Sequence, residues 1–223
     1  MSRKTRKGLG LAAVFLLLIL MPRVQRTTMV EEIHVFERKP EKYIIVIDPG
    51  HGGRDEGATG ASGLKEKHFA LSLALKVRDV LESDERIQVL MTRSDDVFIS
   101  SLDKYRPNFA NENQADLFIS IHGNSFRTPS VSGTETYYYD FASRRFAQVL
   151  HRHIVQAAGL RDRGVRRGDL FVLKYTNMAA VLLEIGYLTN PAEEKLLFDD
   201  EFQRSAAKAI ARGVKEYLGL RDI

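Results

Sequence analysis

Residues 43–53 read YIIVIDPGHGG, in which a run of apolar, mostly β-branched residues stops at a glycine-rich turn. An uninterrupted run of this kind is typical of a strand that is buried on both faces of a parallel sheet. The turn that follows it carries His51. The sequence therefore predicts a central strand that delivers a histidine to the loop at its carboxyl end, where open α/β sheets place their ligand sites.

Predicted helices and strands alternate along the rest of the chain. Apolar residues recur at helical spacing from Lys67 to Leu81, and Glu66 lies in the first turn of this helix. Further helices are predicted over residues 102–113, 142–158 and 202–218, and further strands over residues 89–92, 117–121, 134–139, 170–173 and 181–183. This alternation predicts an α/β fold with a mostly parallel, twisted sheet flanked by helices, in a single catalytic domain over residues 43–223.

The composition excludes several classes of function. The 223 residues have a net charge of +4, and Lys and Arg are interspersed with Asp and Glu, so we expect no nucleic acid partner. The chain has no cysteine, which excludes disulfides and thiolate ligands. A bound zinc ion would therefore have nitrogen and oxygen ligands.

The N-terminus predicts a membrane-directed segment. An uncharged, mostly apolar run over residues 8–21 follows four basic residues, Arg3, Lys4, Arg6 and Lys7. This is the layout of a signal peptide or a short signal-anchor, and the lack of a small-residue cleavage pattern after it favours the anchor. The predicted organisation is a cytoplasmic basic tip with this signal segment over residues 1–28, a tether over residues 29–42, and the catalytic domain outside the membrane.

Four residues suited to metal or acid–base chemistry lie at the ends of predicted elements: His51, Glu66, His122 and Glu184. Ligands from separate elements that converge at one sheet edge, with a coordination position left for water, form an open metal site, and this layout favours a zinc hydrolase. Each residue also has an alternative role. His51 can cap a turn, Glu66 can complement a helix dipole, His122 can be a hydrogen-bonded core histidine and Glu184 can form a buried ion pair.

Six short blocks carry a resemblance to a known family: IDPGHGG at residues 47–53, GLKEK at 63–67, TR at 92–93, AN at 110–111, SIHGN at 120–124 and LEIGYLTN at 183–190. In this order they resemble the zinc-dependent N-acetylmuramoyl-L-alanine amidases of bacteria, often called type 3 amidases. The resemblance implies that His51, Glu66 and His122 bind Zn²⁺ and that Glu184 is the catalytic carboxylate. It also implies hydrolysis of the amide bond between N-acetylmuramic acid and L-alanine of the peptidoglycan stem peptide.

The resemblance extends to location and substrate contacts. It implies action at the outer face of the bacterial membrane or in the cell wall, in wall lysis or remodelling, with spore cortex processing as one such role. Arg93, Arg106 and Asn124 are candidates for substrate binding, and the alternatives for the two arginines are bracing of the site or an ion pair with Asp95 or Asp96. Residues 128–142 are too few to include the helix that blocks the site in division-associated relatives, so we expect activity without an activator protein.

Two other classes of function stay open from the sequence alone. A zinc peptidase or deacetylase that acts on another cell-wall bond would use the same ligands. A non-catalytic, membrane-tethered glycan-binding protein would need no complete ligand set, whereas all four candidate residues are present here.

Overall fold

The computed structural model of the protein describes residues 42–100 and 103–220. The predicted membrane segment at residues 1–28, and the predicted tether up to residue 41, lie outside the described residues. Within the two described ranges, no helix combines the length and the apolar character that a membrane crossing requires.

The described strands form one six-stranded sheet: β1 (Tyr43–Pro49), β2 (Ile87–Met91), β3 (Leu117–Asn124), β4 (Thr134–Tyr138), β5 (Asp162–Arg167) and β6 (Ala179–Tyr187). Their order across the sheet is β2-β1-β3-β6-β4-β5. Neighbouring strands are parallel except β4 and β6, which are antiparallel. The predicted mostly parallel sheet is therefore confirmed, and the carboxyl ends of β1, β3 and β6 lie at one edge.

The helices cover both faces of this sheet. Those in the described residues are α1 (Glu66–Glu82), α2 (Tyr105–Glu112), α3 (Ser143–Ala158), α4 (Phe171–Lys174), α5 (Pro191–Leu197) and α6 (Asp200–Leu218). One hydrophobic cluster joins β1 to α1, α3 and α6, and a second cluster on the opposite face joins β1 to α2 and α4. Ile45 and Ile47 belong to the first cluster and Val46 to the second, which explains why residues 43–47 form a continuous apolar run.

One predicted element is wrong, and one strand was not predicted. Residues 170–173 were expected to form a strand, but the structure has the short helix α4 there. A run of four apolar residues does not distinguish a strand from a buried helical turn. Conversely, residues 162–167 form the edge strand β5, although their sequence DRGVRR is typical of a solvated loop. An edge strand has one partner and exposed faces, so charged residues are tolerated in it.

The helix α5 was not predicted, although a local signal for it exists. Asn190 precedes Pro191, and its side chain accepts hydrogen bonds from the backbone N–H groups of Ala192 and Glu193. Asparagine at the N-cap with proline in the first turn is a common helix start. This helix packs directly after β6 and so lies close to the edge of the sheet that carries Glu184.

Candidate active site

His51 lies two residues beyond the end of β1, in a left-handed backbone conformation with φ of 62°. Its Nδ1 atom lies 2.9 Å from Oδ1 of Asp55. This contact orients the ring so that the other nitrogen, Nε2, lies 3.1 Å from Oε1 of Glu66. A carboxylate that holds one imidazole nitrogen and leaves the other free is the usual arrangement behind a metal-binding histidine.

Glu66 is the first residue of α1 and its side chain is buried. Its Oε2 accepts a hydrogen bond from the backbone N–H of Ala58 at 2.8 Å, and its Oε1 accepts one from Gly123 at 3.2 Å. Burial raises the pKa of Glu66, but hydrogen bonds and charges of His122 and His51 outweigh it, and the net pKa lies well below its usual range. Glu66 is therefore an ionised carboxylate at neutral pH.

His122 completes a compact group. It lies near the end of β3, and its Nδ1 is 2.8 Å from Oε1 of Glu66. Ligand atoms from His51, Glu66 and His122 all lie within 4.8 Å of one another. Since zinc bonds to nitrogen or oxygen are about 2.0–2.2 Å long, tetrahedral ligands lie roughly 3.3 Å apart. The two measured nitrogen–oxygen separations come close to this value, so two imidazoles and one carboxylate fit a zinc ion.

Glycines let the ligands approach one another. A Cβ atom at Gly50 would lie 2.3 Å from Cε1 of His122, and one at Gly57 would lie 2.6 Å from Cδ2 of His51 and 2.7 Å from Oε2 of Glu66. No side chain fits at either position without moving a ligand. The glycine content of this loop is therefore a requirement of the site's packing.

Glu184 lies beside this group, on β6. In the parallel ladder between β3 and β6 it is the direct partner of His122. The residue is partly exposed, while its Oε2 atom is buried and has no hydrogen-bond partner among the described residues. Burial raises the pKa of Glu184 well above its ordinary value, and the charges of Glu66 and Glu135 raise it further. Such an unpaired carboxyl group is unusual in a core and common at a reactive site.

A cleft of about 190 Å³ opens beside the two histidines. It is lined by polar groups that include His51, His122 and Arg106, and by the apolar residues Leu170, Phe171, Val172 and Leu182. Leu182 lies two residues before Glu184 and therefore on the same face of β6. The cleft thus runs along the sheet face that carries Glu184, with α4 as its opposite wall.

Arg93 and Arg106 lie beneath the loop that carries His51. Arg93 donates hydrogen bonds to the carbonyl oxygens of Pro49 and Gly50, and Arg106 donates to those of Pro49 and His51. Arg106 also pairs with the buried Asp48, which accepts further hydrogen bonds from Thr92 and Ser120. These contacts favour the bracing role for both arginines over direct substrate binding, although Arg106 does reach the cleft.

Asn124, the third candidate for substrate binding, is the last residue of β3. Its side-chain oxygen accepts a hydrogen bond from the backbone N–H of Ser125 at 2.8 Å. It is not among the residues that line the cleft. Substrate binding by Asn124 stays a prediction.

A second buried carboxylate, which was not predicted from the sequence, lies next to Glu184. Glu135 of β4 is the direct partner of Glu184 in the antiparallel ladder. It accepts hydrogen bonds from the hydroxyls of Tyr137 and Tyr187, both at 2.6 Å, and it pairs with Arg163 of β5. The alternation of TETYY at residues 134–138 indicated a strand, but no local pattern indicated that this glutamate is buried.

Comparisons with known proteins agree with this geometry. A family model described as N-acetylmuramoyl-L-alanine amidase matches residues 45–216. The catalytic domain of CwlV, an amidase of this name from Bacillus (Paenibacillus) polymyxa var. colistinus, is 46% identical with a TM-score of 0.78, and the match covers 80% of this chain and 99% of that chain.

Two further relatives are a longer protein and an amidase solved with a partner protein. The N-acetylmuramoyl-L-alanine amidase LytC of Bacillus subtilis is 40% identical over 177 residues, which cover 78% of this chain and 35% of LytC. The amidase CwlD of Clostridioides difficile was solved in complex with the GerS lipoprotein. It is 31% identical with a TM-score of 0.73, and the match covers 81% of this chain and 100% of that chain.

Proposed function

Because the chain belongs to the N-acetylmuramoyl-L-alanine amidase family, we propose that it performs this hydrolysis at a zinc site formed by His51, Glu66 and His122, with Glu184 as the catalytic carboxylate. The protein is an amidase that acts on peptidoglycan, at the bond between N-acetylmuramic acid and L-alanine. The observation that supports the zinc site most strongly is the convergence, within 4.8 Å, of three potential ligand atoms from the loop after β1, from α1 and from β3.

The three ligands have the charge that a catalytic zinc site needs. One carboxylate and two neutral imidazoles leave a divalent cation with a net positive charge and a free coordination position. When bound, zinc supplies a Lewis acid that polarises the amide carbonyl and makes a water molecule more acidic. Asp55 fixes the orientation of His51 so that Nε2 points toward Glu66 and would be free to bind the ion, and the backbone N–H groups of Ala58 and Gly123 fix the carboxylate of Glu66.

Two observations support a proton-transfer role for Glu184. It neighbours His122 across the β3–β6 ladder, and its buried oxygen forms no hydrogen bond with the described residues that would compete for this role. A carboxylate with a raised pKa is a better base than an exposed one, because efficient proton transfer needs a pKa near the working pH. We expect Glu184 to take a proton from the attacking water and to pass it to the leaving amine of L-alanine.

Glu184→Gln tests this role. The variant keeps the shape of the side chain but cannot accept the proton, so we expect kcat to fall by about 10²- to 10⁴-fold while zinc binding is retained. Glu56→Gln, a change of the same kind at an exposed residue of the neighbouring loop, should leave both quantities unchanged. Normal activity of Glu184→Gln on purified peptidoglycan would contradict the assignment.

Chelation tests the metal. Removal of divalent ions should abolish hydrolysis by the purified protein, and added zinc should restore it. Activity that is indifferent to chelation would contradict the zinc site. Mass spectrometry of the products separates the proposed reaction from the alternative zinc peptidase or deacetylase: an amidase releases peptides that begin with a free L-alanine amino group and leaves the glycan intact.

The membrane association of this protein is also a proposal. The family's substrate lies outside the cytoplasm, and the basic residues before the apolar run at residues 8–21 favour an N-terminal anchor with the enzyme on the outer face. We expect the full chain to fractionate with membranes and to be released when residues 1–28 are deleted. Recovery of the full chain in the soluble fraction would refute the anchor.

We further propose that hydrolysis needs no activator. The connection between β3 and β4, residues 125–133, contains no helix that would cover the cleft. Purified protein should therefore hydrolyse peptidoglycan by itself. A strict requirement for a second protein, of the kind suggested by the CwlD–GerS complex, would overturn this proposal.

A further inference from the structure

Two guanidinium groups face one carboxylate at the β5 edge of the site. Glu135 pairs closely with Arg163, through the Nε atom of the arginine. Arg166 lies only at the limit of an ion pair, with its Nε atom 3.9 Å from Oε2 of Glu135. Its other described contact is a long hydrogen bond of 3.3 Å to the carbonyl oxygen of Arg163. The charge of Glu135 is therefore balanced by Arg163, and that of Arg166 is left largely available.

Arg166 lies on the sheet face that carries the catalytic carboxylate. It is the register partner of Tyr137 on β4, and Tyr137 is in turn the register partner of Leu182 on β6. Leu182 lines the cleft, and Glu184 follows it on the same face. The contact between Arg166 and Glu135 shows that the arginine side chain points back toward Glu184, since Glu135 and Glu184 are direct partners.

The guanidinium group of Arg166 is accessible to solvent. Half of the Arg166 side chain, 49%, is exposed to solvent, against 24% for Arg163 and 3% for Glu135. The neighbouring Arg167 is exposed too, but its Nε donates to the carbonyl oxygen of Tyr139 and its guanidinium lies over the Tyr139 ring. Tyr139 lies four residues along the chain from Glu135, so the side chain of Arg167 is directed away from the catalytic edge.

The distance from Glu184 on β6 to Arg166 on β5 matches the reach of the stem peptide of a substrate. Adjacent strands lie about 4.8 Å apart, so β5 is roughly 10 Å from β6 across the sheet. Two residues of extended peptide span roughly 7 Å, and a side chain adds to that reach. A stem peptide that leaves the scissile amide along this face therefore brings its second or third residue close to Arg166.

Resting on the function proposed above, we infer that Arg166 binds a free carboxylate of the stem peptide, one or two residues beyond the L-alanine, and so makes the enzyme prefer acidic stem peptides over amidated ones. A guanidinium recognises a carboxylate through paired, charge-assisted hydrogen bonds that a carboxamide does not reproduce. Arg163 and the hydroxyl of Tyr137 make the close contacts with Glu135, so Arg166 keeps only its longer contact of 3.9 Å with that carboxylate.

The test compares two forms of one substrate. Peptidoglycan that has been freed of phosphate polymers is used directly, and a second portion has its free carboxylates converted to carboxamides. The initial rate is the release of new L-alanine amino groups by the full-length enzyme. We expect the wild type to hydrolyse the native form about tenfold faster than the amidated form, and Arg166→Gln to lose this preference through a slower rate on the native form alone.

Arg167→Gln is the matched control, because it removes the same charge from the next residue of β5. It should discriminate between the two substrates as the wild type does, whereas Arg166→Lys should keep part of the preference. An Arg166→Gln enzyme with the wild-type preference, or a wild type with equal rates on both forms, overturns the inference while the proposed function stands. A wild type that releases no L-alanine amino groups from either form refutes the proposed function instead.

Discussion

The substitution Gly50→Ala should weaken zinc binding by displacing the ring of His122. The added Cβ would lie 2.3 Å from Cε1 of His122 and 2.6 Å from each ring nitrogen, whereas ordinary contact begins at 3.4 Å, so the ring has to move by about 1.1 Å. Zinc–ligand distances tolerate changes of only about 0.2 Å. We expect the affinity for zinc to fall by about 10- to 100-fold, which corresponds to about 1.4–2.7 kcal/mol.

Competition with a chromophoric chelator measures this loss directly. Gly123→Ala serves as the control, because it adds the same methyl group next to His122 but meets Leu188 and the ring of Phe69 at 3.0–3.2 Å, an overlap that shifts of a few tenths of an ångström relieve. That variant should bind zinc nearly as tightly as the wild type, and circular dichroism should show both variants folded. If folded Gly50→Ala binds zinc with wild-type affinity, the ligand role of His122 in its observed position is refuted.

Three other predictions concern the framework of the site. Asp48→Ala leaves the buried guanidinium of Arg106 without its carboxylate, and urea unfolding should show a loss of about 3–5 kcal/mol; a loss below about 1 kcal/mol would contradict the bracing role. Leu73→Ala, in the core, should lower the free energy of unfolding by about 2–5 kcal/mol, whereas the exposed Leu64→Ala should change it by less than about 0.5 kcal/mol, and equal effects would contradict the assigned burial. In the zinc-free protein, burial lowers the pKa of His51, but the hydrogen bonds and charges of Glu66 and Asp55 outweigh this effect and raise the pKa above 6.5. The protonated ring therefore stabilises the folded state. This contribution is complete below pH 6.5 and is lost as the pH rises through the raised pKa. Titration of its ring proton by NMR should give a midpoint above 6.5 that moves down in Asp55→Asn. A wild-type midpoint below 6.5 would show that burial outweighs the two carboxylates, and would contradict the prediction.

The parts of the fold that the sequence predicted are those with a strong local pattern. The apolar runs of β1, β3 and β6 are buried on both faces, so their composition alone distinguishes them, and helical spacing identifies α1 and α6. Once these strands are parallel neighbours, His51, His122 and Glu184 must meet at one edge. That is why the sequence predicts that His51 and His122, which are 71 residues apart, lie at the same edge of the sheet.

The remaining features depend on pairings that no local pattern encodes. The side chain of Arg163 meets Glu135, 28 residues earlier, and Arg106 meets Asp48, 58 residues earlier, and each of these charged residues looks solvated in the sequence. The burial of Glu135 therefore follows only from the strand order, and the pairing of Arg106 with Asp48 only from the packing of α2 against β1. The strand β5 was missed for the same reason, because its single partner β4 supplies the contacts that its own composition does not predict.

The backbone conformation of His51 carries a cost in stability. A histidine with φ of 62° is held in a conformation that disfavours side chains, and such positions typically cost about 1–3 kcal/mol. Selection for fold stability alone would favour glycine there. Replacement by glycine relieves this strain but also removes the ring that contacts Asp55 and Glu66, so the two effects on stability oppose each other and protein abundance is expected to report poorly on the loss of activity.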